Sequence, residues 1–212
     1  MMQKSFNPSC NECPRLANFL AEVKVQRPDY FCQPVPAFGD ADPHLLIVGL
    51  APGMHGANRS GRPFTGDYAG ILLYETLYRF GLSNQPVSEH ADDALRLAGC
   101  RITNAVKCLP PENKPTPAEI RQCNPYLATE IAAFDKLKAV LALGSVAHQA
   151  VLRALGLKLK DYAFAHAAVH DLPNGLRLYD SYHCSRYNTQ TKRLTEAMFH
   201  SVFELIINDM KE

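Results

Sequence analysis

Four cysteines in two distant pairs set the strongest constraint on how this chain of 212 residues can fold. Cys10 and Cys13 form a C-x-x-C motif near the N-terminus, and Cys108 and Cys123 follow in the middle of the chain. Four thiolates bind one metal centre only where they converge in space. A site built from all four would therefore hold the start of the chain against its middle.

The cysteine spacing favours an iron–sulfur cluster over zinc. A C-x-x-C motif places two thiolates on adjacent corners of a [4Fe–4S] cluster, and more distant cysteines supply the others. A zinc ribbon normally repeats the short motif on both sides, whereas the second pair here is widely spaced, with prolines close to both cysteines. Zinc on the same four ligands stays open as the alternative. We interpret Cys32 and Cys100 as small buried apolar residues.

Length and composition indicate a single domain over residues 1–212, because no compositional shift marks a boundary. The chain has no signal-like start and no apolar run that could cross a bilayer, so we expect a cytosolic protein. A net charge of +1 gives no bulk attraction to nucleic acid. Local charge is different: Arg186, Lys192 and Arg193 lie in a stretch, 181–195, without acidic residues, and Arg59 and Arg62 lie in a second basic loop.

Short apolar runs alternate with helical periodicities four times along the chain. The predicted strands are 44–49, 101–106, 138–143 and 176–182, and the predicted helices are 71–80, a segment opening at Thr116, 145–155 and a C-terminal segment. This order predicts an α/β fold, a three-layer αβα sandwich with a central, mostly parallel four-stranded sheet. Ligands of such sheets bind beyond the carboxyl ends of the strands. We therefore expect the loops that follow the strands to carry the chemistry.

The loop after the first predicted strand, residues 49–67, contains five glycines, which permit close backbone approach to a ligand. It lacks the Lys-Ser/Thr ending of a nucleotide-binding P-loop. Phe64 offers a flat apolar face, and Asp67 offers a carboxylate to the same region. Simpler roles exist for both, since Phe64 can belong to the core and Asp67 can cap the next helix. On these residues alone, the cap is the favoured role for Asp67.

Two later loops add an amide and an imidazole. Asn104 ends an apolar strand, where its amide must either bond to backbone or be reserved for a ligand with a matching edge. His183 follows the fourth strand, close to hydroxyl side chains and Tyr187. A single histidine at a strand end is more often structural than catalytic. Polar residues at three successive strand ends together indicate a functional site.

At this point the motifs resemble those of the uracil-DNA glycosylase superfamily, and within it family 5, whose members carry an iron–sulfur cluster. The motifs are C-x-x-C-P at 10–14, G-L-A-P-G at 49–53, G-R-P-F-T-G-D at 61–67, T-N-x-V-K-C-x-P-P at 103–111, L-A-L-G-x-x-A-H at 141–148 and S-Y-H-x-S-R-x-N-T-Q-T at 181–191. The sibling family 4 carries a carboxylate where this chain has Leu50, and this difference indicates family 5.

The resemblance implies a monofunctional DNA glycosylase that flips out uracil and excises it hydrolytically in base excision repair. Hypoxanthine and other deaminated bases are implied as further substrates. Phe64 would stack on the base, Asn104 would bind its pairing edge, and His183 would donate toward a base carbonyl. Asp67 would hold or activate the water that attacks C1′.

The resemblance also implies the remaining contacts. Substrate-binding residues of the first motif are Gly49, Ala51, Pro52 and Gly53. DNA-binding residues are Ser185, Arg186, Tyr187, Asn188, Lys192 and Arg193. The ligands of a [4Fe–4S] cluster are Cys10, Cys13, Cys108 and Cys123.

Two positions depart from the family pattern. Relatives usually have Pro at the position of Cys184, which would constrain the backbone beside His183, and Gly at the position of Lys192. The alternative function is a lesion-DNA-binding iron–sulfur protein of the same fold with little or no excision activity, and the intact Asp67, Asn104 and His183 argue against it. We expect a monomer of the prokaryotic cytosol that acts on DNA containing uracil or other deaminated bases, without membrane association.

Overall fold

A computed structural model of the protein describes residues 5–211 and arranges them around one six-stranded sheet. The strands are β1 (Phe38–Gly39), β2 (Leu45–Gly49), β3 (Cys100–Asn104), β4 (Ala139–Leu143), β5 (Val169–Asp171) and β6 (Arg177–Ser181). Their spatial order is β1-β3-β2-β4-β6-β5. β2, β3, β4 and β6 are parallel to one another, and β1 and β5 pair antiparallel at the two edges.

The four predicted parallel strands are confirmed, but the predicted strand number was too low. The two additional strands have two and three residues, too few for a recognisable apolar run. β5 exposes Val169 and Asp171 because it lies at a sheet edge, where burial does not require an apolar pattern. The second predicted strand also ends two residues early, at Asn104.

The helices are α1 (Pro14–Gln26), α2 (Ala57–Ser60), α3 (Tyr68–Arg79), α4 (Pro117–Ala132), α5 (Ser145–Ala154), α6 (Arg186–Gln190) and α7 (Glu196–Lys211). Short 3₁₀ turns cover Pro111–Asn113 and Leu159–Asp161. The predicted start of α4 is confirmed, because Thr116 and Glu119 form a reciprocal capping box. None of the helices within residues 5–211 is both long enough and apolar enough to cross a membrane.

The helices cover both faces of the sheet, which confirms the three-layer sandwich. Side chains alternate between the faces of a strand. Leu46 and Val48 of β2 pack with α4 and α5, and Leu45 and Ile47 pack with α3 and α7. Both cores are apolar and closed, so the polar side chains that the function requires lie at the ends of the strands.

The strand order of the sheet changes direction at β2, because β3 and β4 lie on opposite sides of it. The chain passes from β2 to β3 on one side and then crosses to β4 on the other side. The loops that follow β2, β3 and β4 therefore diverge above the carboxyl end of β2. Such a switch point creates a crevice that α/β proteins use for ligands.

Candidate active site

A cavity of about 550 Å³ opens at the carboxyl ends of the parallel strands. Phe64 and Asp67 reach it from the loop after β2, Asn104 from β3, Gly144 from the start of α5 and His183 from the loop after β6. Loops from all four parallel strands thus meet at one cavity, where the topology places a crevice.

Gly49, the last residue of β2, allows Phe64 and Asn104 to approach each other. A Cβ at position 49 would lie 2.4 Å from Oδ1 of Asn104 and 2.7 Å from Cζ of Phe64. Both distances are far below van der Waals contact, so no other residue fits without displacing one of these side chains. The glycine of the first motif therefore brings the aromatic ring and the amide together.

The amide of Asn104 lies at the base of the cavity. Its side chain is 4% exposed, and Oδ1 is buried without a hydrogen-bond partner among the described residues. A buried carbonyl that lacks a donor costs about 1–3 kcal/mol. Of the two roles that the sequence leaves open, this geometry matches an amide that awaits a ligand and not one bonded to backbone.

Asp67 both caps a helix and lines the cavity. Its Oδ1 accepts a hydrogen bond of 2.8 Å from the Gly70 N–H and so caps α3. Its carboxylate packs so closely on Gly56 that a Cβ there would lie 2.5 Å from Oδ2. Burial raises the pKa of Asp67 above its ordinary value, although the N–H groups of Gly70 and Ala69 partly oppose this. The two roles predicted for Asp67 as alternatives are geometrically compatible.

His183 lies against Phe64 in the same cavity. The two rings are nearly parallel, with centroids 5.9 Å apart. Burial lowers the pKa of His183 to about 4, so its imidazole is neutral at pH 7. A neutral imidazole has one N–H that can donate to a ligand carbonyl.

The backbone beside His183 is held in place although the usual proline is absent. Asn188 donates a hydrogen bond of 2.8 Å to the His183 carbonyl, and Ser185 caps α6. Cys184 is fully buried in the core that α3 and α7 share. These contacts constrain the loop in place of a proline ring. They also give Asn188, predicted to contact DNA, a role within the fold.

The other predicted substrate and DNA residues take different places around the cavity. Those that line it are Ala51, Gly53, Ser185, Arg186, Asn188 and Arg193. Pro52 is buried and does not line the cavity, and Tyr187 and Lys192 are exposed and do not line it either. Tyr187 is 70% exposed, as a residue that projects toward a large partner would be.

Two arginines cross aromatic rings at the rim of the cavity. Arg186 lies over the ring of Tyr68 at 5.8 Å, and Arg193 lies over the ring of Tyr182 at 4.7 Å. Tyr68, Tyr182 and Phe164 line the cavity, and the sequence analysis did not predict them. Tyr68 directly follows Asp67 and Tyr182 directly precedes His183, so these two positions offered a signal in the sequence, whereas Phe164 offered none.

The second basic loop is only partly available to a ligand, and its interpretation as a basic cluster was wrong for Arg62. Arg62 is 5% exposed and forms an ion pair of 2.7 Å with Asp93. It also lies over the ring of Phe38 and donates to Ser88. Arg62 therefore fastens its loop to the fold, whereas Arg59 is exposed.

The four paired cysteines line one small cavity that shares no lining residue with the active-site cavity: Cys10, Cys13, Cys108 and Cys123. Burial and neighbouring thiolates raise the pKa of Cys13 to about 11 and that of Cys108 to about 12. The Lys107 N–H donates to the sulfur of Cys123 at 3.3 Å. Four thiols that converge on one cavity form a donor set suited to a cationic metal centre, which binds their thiolate forms. The predicted convergence of the two pairs is confirmed.

The two remaining interpretations of single cysteines are also confirmed. Cys100 lies on β3 and is fully buried in the core that β3 shares with α3. Cys32 packs in a small cluster with residues of α1. Neither residue lines the cavity of the four paired cysteines.

Comparison with known proteins places the chain among DNA repair enzymes. The family model described as the uracil DNA glycosylase superfamily matches residues 36–207. A type-5 uracil-DNA glycosylase of Thermus thermophilus is 46% identical over 199 residues, covering 92% of this chain and 90% of the relative. A type-5 uracil-DNA glycosylase of Mycobacterium tuberculosis is 45% identical, and the match covers 92% of this chain and 75% of the relative. A type-4 enzyme of Archaeoglobus fulgidus is 29% identical, covering 81% of each.

Proposed function

The chain belongs to the uracil DNA glycosylase superfamily, and from the geometry of its site we propose how it excises uracil from DNA. The observation that carries the proposal is the meeting of Phe64 and Asn104 over Gly49, with the Asn104 carbonyl buried and without a partner. A planar base with a polar edge fits such a site. The enzyme is a hydrolase of N-glycosidic bonds.

Base recognition uses Phe64 and Asn104. A base inside a stacked duplex is out of reach, so the nucleotide is extruded at a cost of roughly a few kcal/mol. Stacking on an aromatic ring such as Phe64 returns about 1–3 kcal/mol. The Asn104 carbonyl accepts the ring N–H of uracil, and its amide donates to the adjacent base carbonyl. The pocket prefers a base with a matching hydrogen-bonding edge, because such a base satisfies the buried amide of Asn104.

Bond cleavage separates charge, and two side chains stabilise the separated charges. Negative charge develops on the leaving base, and the neutral His183 donates its N–H to the base carbonyl. Positive charge develops on the sugar, which the Asp67 carboxylate stabilises while it orients the attacking water. The raised pKa of Asp67 makes it a stronger base than an exposed aspartate. The water adds to C1′, its proton passes to Asp67, and the base leaves with the glycosidic electron pair.

The size of the cavity supports a broader substrate range. About 550 Å³ falls in the range of pockets that hold ligands larger than a single pyrimidine ring. The wall formed by Ala51 and Gly53 has small side chains. We propose that hypoxanthine and other deaminated bases also enter.

DNA binds across the rim that carries the basic residues. Arg186 and Arg193 line the cavity, Lys192 is the neighbour of Arg193 in the chain, and all three are exposed and suit contacts to phosphate. Tyr187, also exposed, suits the space that the extruded nucleotide leaves in the stack. These residues concentrate positive charge on one side of a chain whose net charge is only +1.

The four cysteines hold a [4Fe–4S] cluster in this proposal. Four sulfurs on one zinc ion at about 2.3 Å would lie about 3.8 Å from one another. Within residues 5–211, no three of these four sulfurs lie within 4.8 Å of one another. The wider spacing favours a cluster over a single ion. Its role is structural, since it joins α1 to the loop after β3 and to α4.

The extent of the functional unit stays a prediction. The described residues share one sheet, which supports a single domain, and action as a monomer on DNA stays a prediction. The alternative, a lesion-binding protein with little excision activity, would not require Asp67 and His183 to share a cavity with Asn104.

Excision is tested on DNA duplexes that carry one uracil, by following abasic sites as strand breaks after alkali. We expect breaks at uracil and none in the thymine control. An Asn104→Ala variant should excise uracil at least tenfold more slowly, because the base edge loses its partner. Tight, selective binding of uracil-DNA without any break would establish the lesion-binding alternative. A panel with hypoxanthine, xanthine and mismatched thymine then defines the range.

A further inference from the structure

A buried polar cluster outside the proposed catalytic residues joins α5 to β6. His148 of α5 is 2% exposed, and Asp180 of β6 is fully buried. Nδ1 of His148 lies 2.8 Å from Oδ1 of Asp180, and Nε2 lies 3.0 Å from the carbonyl oxygen of Tyr162. Nε2 of His170, on β5, lies 3.3 Å from the other carboxylate oxygen. Both nitrogens of one buried histidine thus face oxygen atoms.

These contacts determine the protonation of His148. The Tyr162 carbonyl can only accept, so Nε2 carries a proton. Oδ2 of Asp180 lies 3.3 Å from Nε2 of His170, so a carboxylate at this position can accept from both histidines, which favours a proton on Nδ1 of His148. This arrangement favours the imidazolium form of His148. Burial opposes this charge, but the hydrogen bond and the charge of Asp180 outweigh it and raise the pKa of His148 above its ordinary value.

A metal ion fits the same cluster less well than a proton. His148, His170 and Asp180 are the one group of metal-binding side chains within residues 5–211 whose ligand atoms all lie within 4.8 Å of one another. Two ligand atoms that each lie about 2.0–2.1 Å from a tetrahedral zinc ion would be about 3.3 Å from each other. The 2.8 Å between His148 and Asp180 is instead the length of a charge-assisted hydrogen bond.

The cluster fastens segment 162–168 against the end of β6. His148 holds the carbonyl of Tyr162 and meets the ring of Phe164 edge-on at 5.6 Å. The Asp180 carbonyl accepts from Ala167 at 2.9 Å, and the Asp180 N–H donates to Ala168 at 3.0 Å. This anchoring fixes a segment that has little other regular structure.

The fastened segment forms one wall of the active-site cavity. Phe164 and Tyr182 both line the cavity, and their rings lie 6.2 Å apart. The Tyr182 N–H donates to Nδ1 of His166 at 3.2 Å, and the two rings stack at 5.1 Å. His183 is the next residue after Tyr182. The position of His183 therefore depends on contacts that begin at His148.

We propose that His148 is a positioning residue for base excision: as an imidazolium clamped between Asp180 and Tyr162, it fixes segment 162–168 and thereby the cavity wall that leads into His183. The inference rests on the proposed function of the cavity. His148 itself does not touch the substrate. A displacement of about 1 Å in a catalytic group can slow a reaction about 100-fold.

The clamp has a defined dependence on pH. The groups that face His148 are Asp180 on β6, His170 on β5 and the Tyr162 carbonyl. Because folding raises the pKa of His148, its stabilising effect is complete below the ordinary pKa of about 6.5 and is lost as the pH rises through the raised value. The excision rate of the wild type should therefore fall on the alkaline side of that value.

The test compares wild type with His148→Gln in single-turnover excision of uracil-DNA across pH 6 to 10. We expect the variant to be about 10- to 100-fold slower at pH 7.5, with lesion-DNA affinity within about twofold, and to lack the alkaline fall. His200→Gln is the matched control, because His200 is also buried but lies on α7 across the sheet. It should keep the rate and pH profile of the wild type.

Nitrogen NMR of the wild-type histidines tests the protonation without any activity. At pH 7.5, both nitrogens of His148 should carry protons, also in zinc-supplemented buffer. A His148 with one bare nitrogen, stoichiometric zinc bound through His148 and His170, or a folded His148→Gln with the wild-type rate and profile would each overturn the proposal. Absence of excision by the wild type would instead contradict the proposed function, since the NMR result does not depend on it.

Discussion

The ring of His183 lies nearly parallel to the ring of Phe64, with 28° between the planes and 5.9 Å between the centroids. This apolar neighbour and the surrounding burial disfavour an imidazolium, and they lower the pKa of His183 to about 4. The imidazole therefore enters the reaction as a neutral donor. Its protonation state is a measurable consequence of the packing.

Carbon or nitrogen NMR should show His183 neutral at pH 7, with a titration midpoint near 4. Because the folded pKa is depressed, the folded protein binds fewer protons than the unfolded chain below about pH 6.5. The wild type should therefore lose stability relative to His183→Asn as the pH falls from 6.5 through 4, measured by urea unfolding. His90→Asn, at an exposed position, should follow the wild type. A midpoint above 6 for His183 would contradict this account.

The cysteine site should bind iron and sulfide when the protein is purified anaerobically. Replacing Cys108 with Ser should remove most of the iron and lower the yield of folded protein, because metal binding is coupled to folding. Cys100→Ser is the matched control, since Cys100 is buried outside the site. It should keep its iron. Stoichiometric zinc without iron in the wild type would show that the proposed cluster is wrong.

DNA affinity should fall steeply with salt despite the net charge of +1. Arg186→Ala should weaken binding to all sequences similarly and reduce the slope of log affinity against log salt by about 1. Fluorescence anisotropy at several salt concentrations measures this. Arg79→Ala, at the end of α3 remote from the cavity, should leave the slope unchanged. An unchanged slope for Arg186→Ala would exclude Arg186 as a phosphate contact.

Lys192 adopts a left-handed backbone conformation with φ of 58°, which suits the glycine of the family pattern. Lys192→Gly should raise the free energy of unfolding by about 1 kcal/mol, because the left-handed conformation costs a residue with a Cβ about that much. It should also weaken DNA binding by removing a charge. Lys192→Asn separates the two effects, since asparagine tolerates this conformation. A drop in stability for both variants would mean that the lysine side chain has a structural role.

The sequence predicted the layers and the meeting of polar side chains at the strand ends because both depend on local patterns. β2 and β4 are continuous apolar runs, and the polar residues at the strand ends stand out against them. β5 was missed since an edge strand needs no such run. Arg62 was misinterpreted because its partner, Asp93, is 31 positions away. A pairing at that distance leaves no local signal.

Asp67 shows a different limit of sequence analysis. From the sequence, helix cap and catalytic carboxylate were alternative roles for Asp67. In the structure, one oxygen of Asp67 caps α3 and its carboxylate also lines the cavity. The close approach that makes this possible requires the missing Cβ of Gly56. Only the three-dimensional structure shows that a glycine eleven positions earlier lies under the same carboxylate.

The central claim is that the Asp67 carboxylate does chemical work beyond capping α3. Asn is as good a cap as Asp, so Asp67→Asn should keep the fold and its stability while it removes the base. Thr116→Asn, which exchanges the cap of α4 away from the cavity, controls for the change of cap. It should leave excision unchanged.

The most direct measurement is the single-turnover rate of uracil excision by Asp67→Asn at saturating enzyme. A positioned general base contributes about 10²–10⁴-fold, so the rate should fall by that order while lesion-DNA binding changes little. A folded variant with a rate near that of the wild type would contradict the assignment, leaving Asp67 as a helix cap and the chemistry to His183.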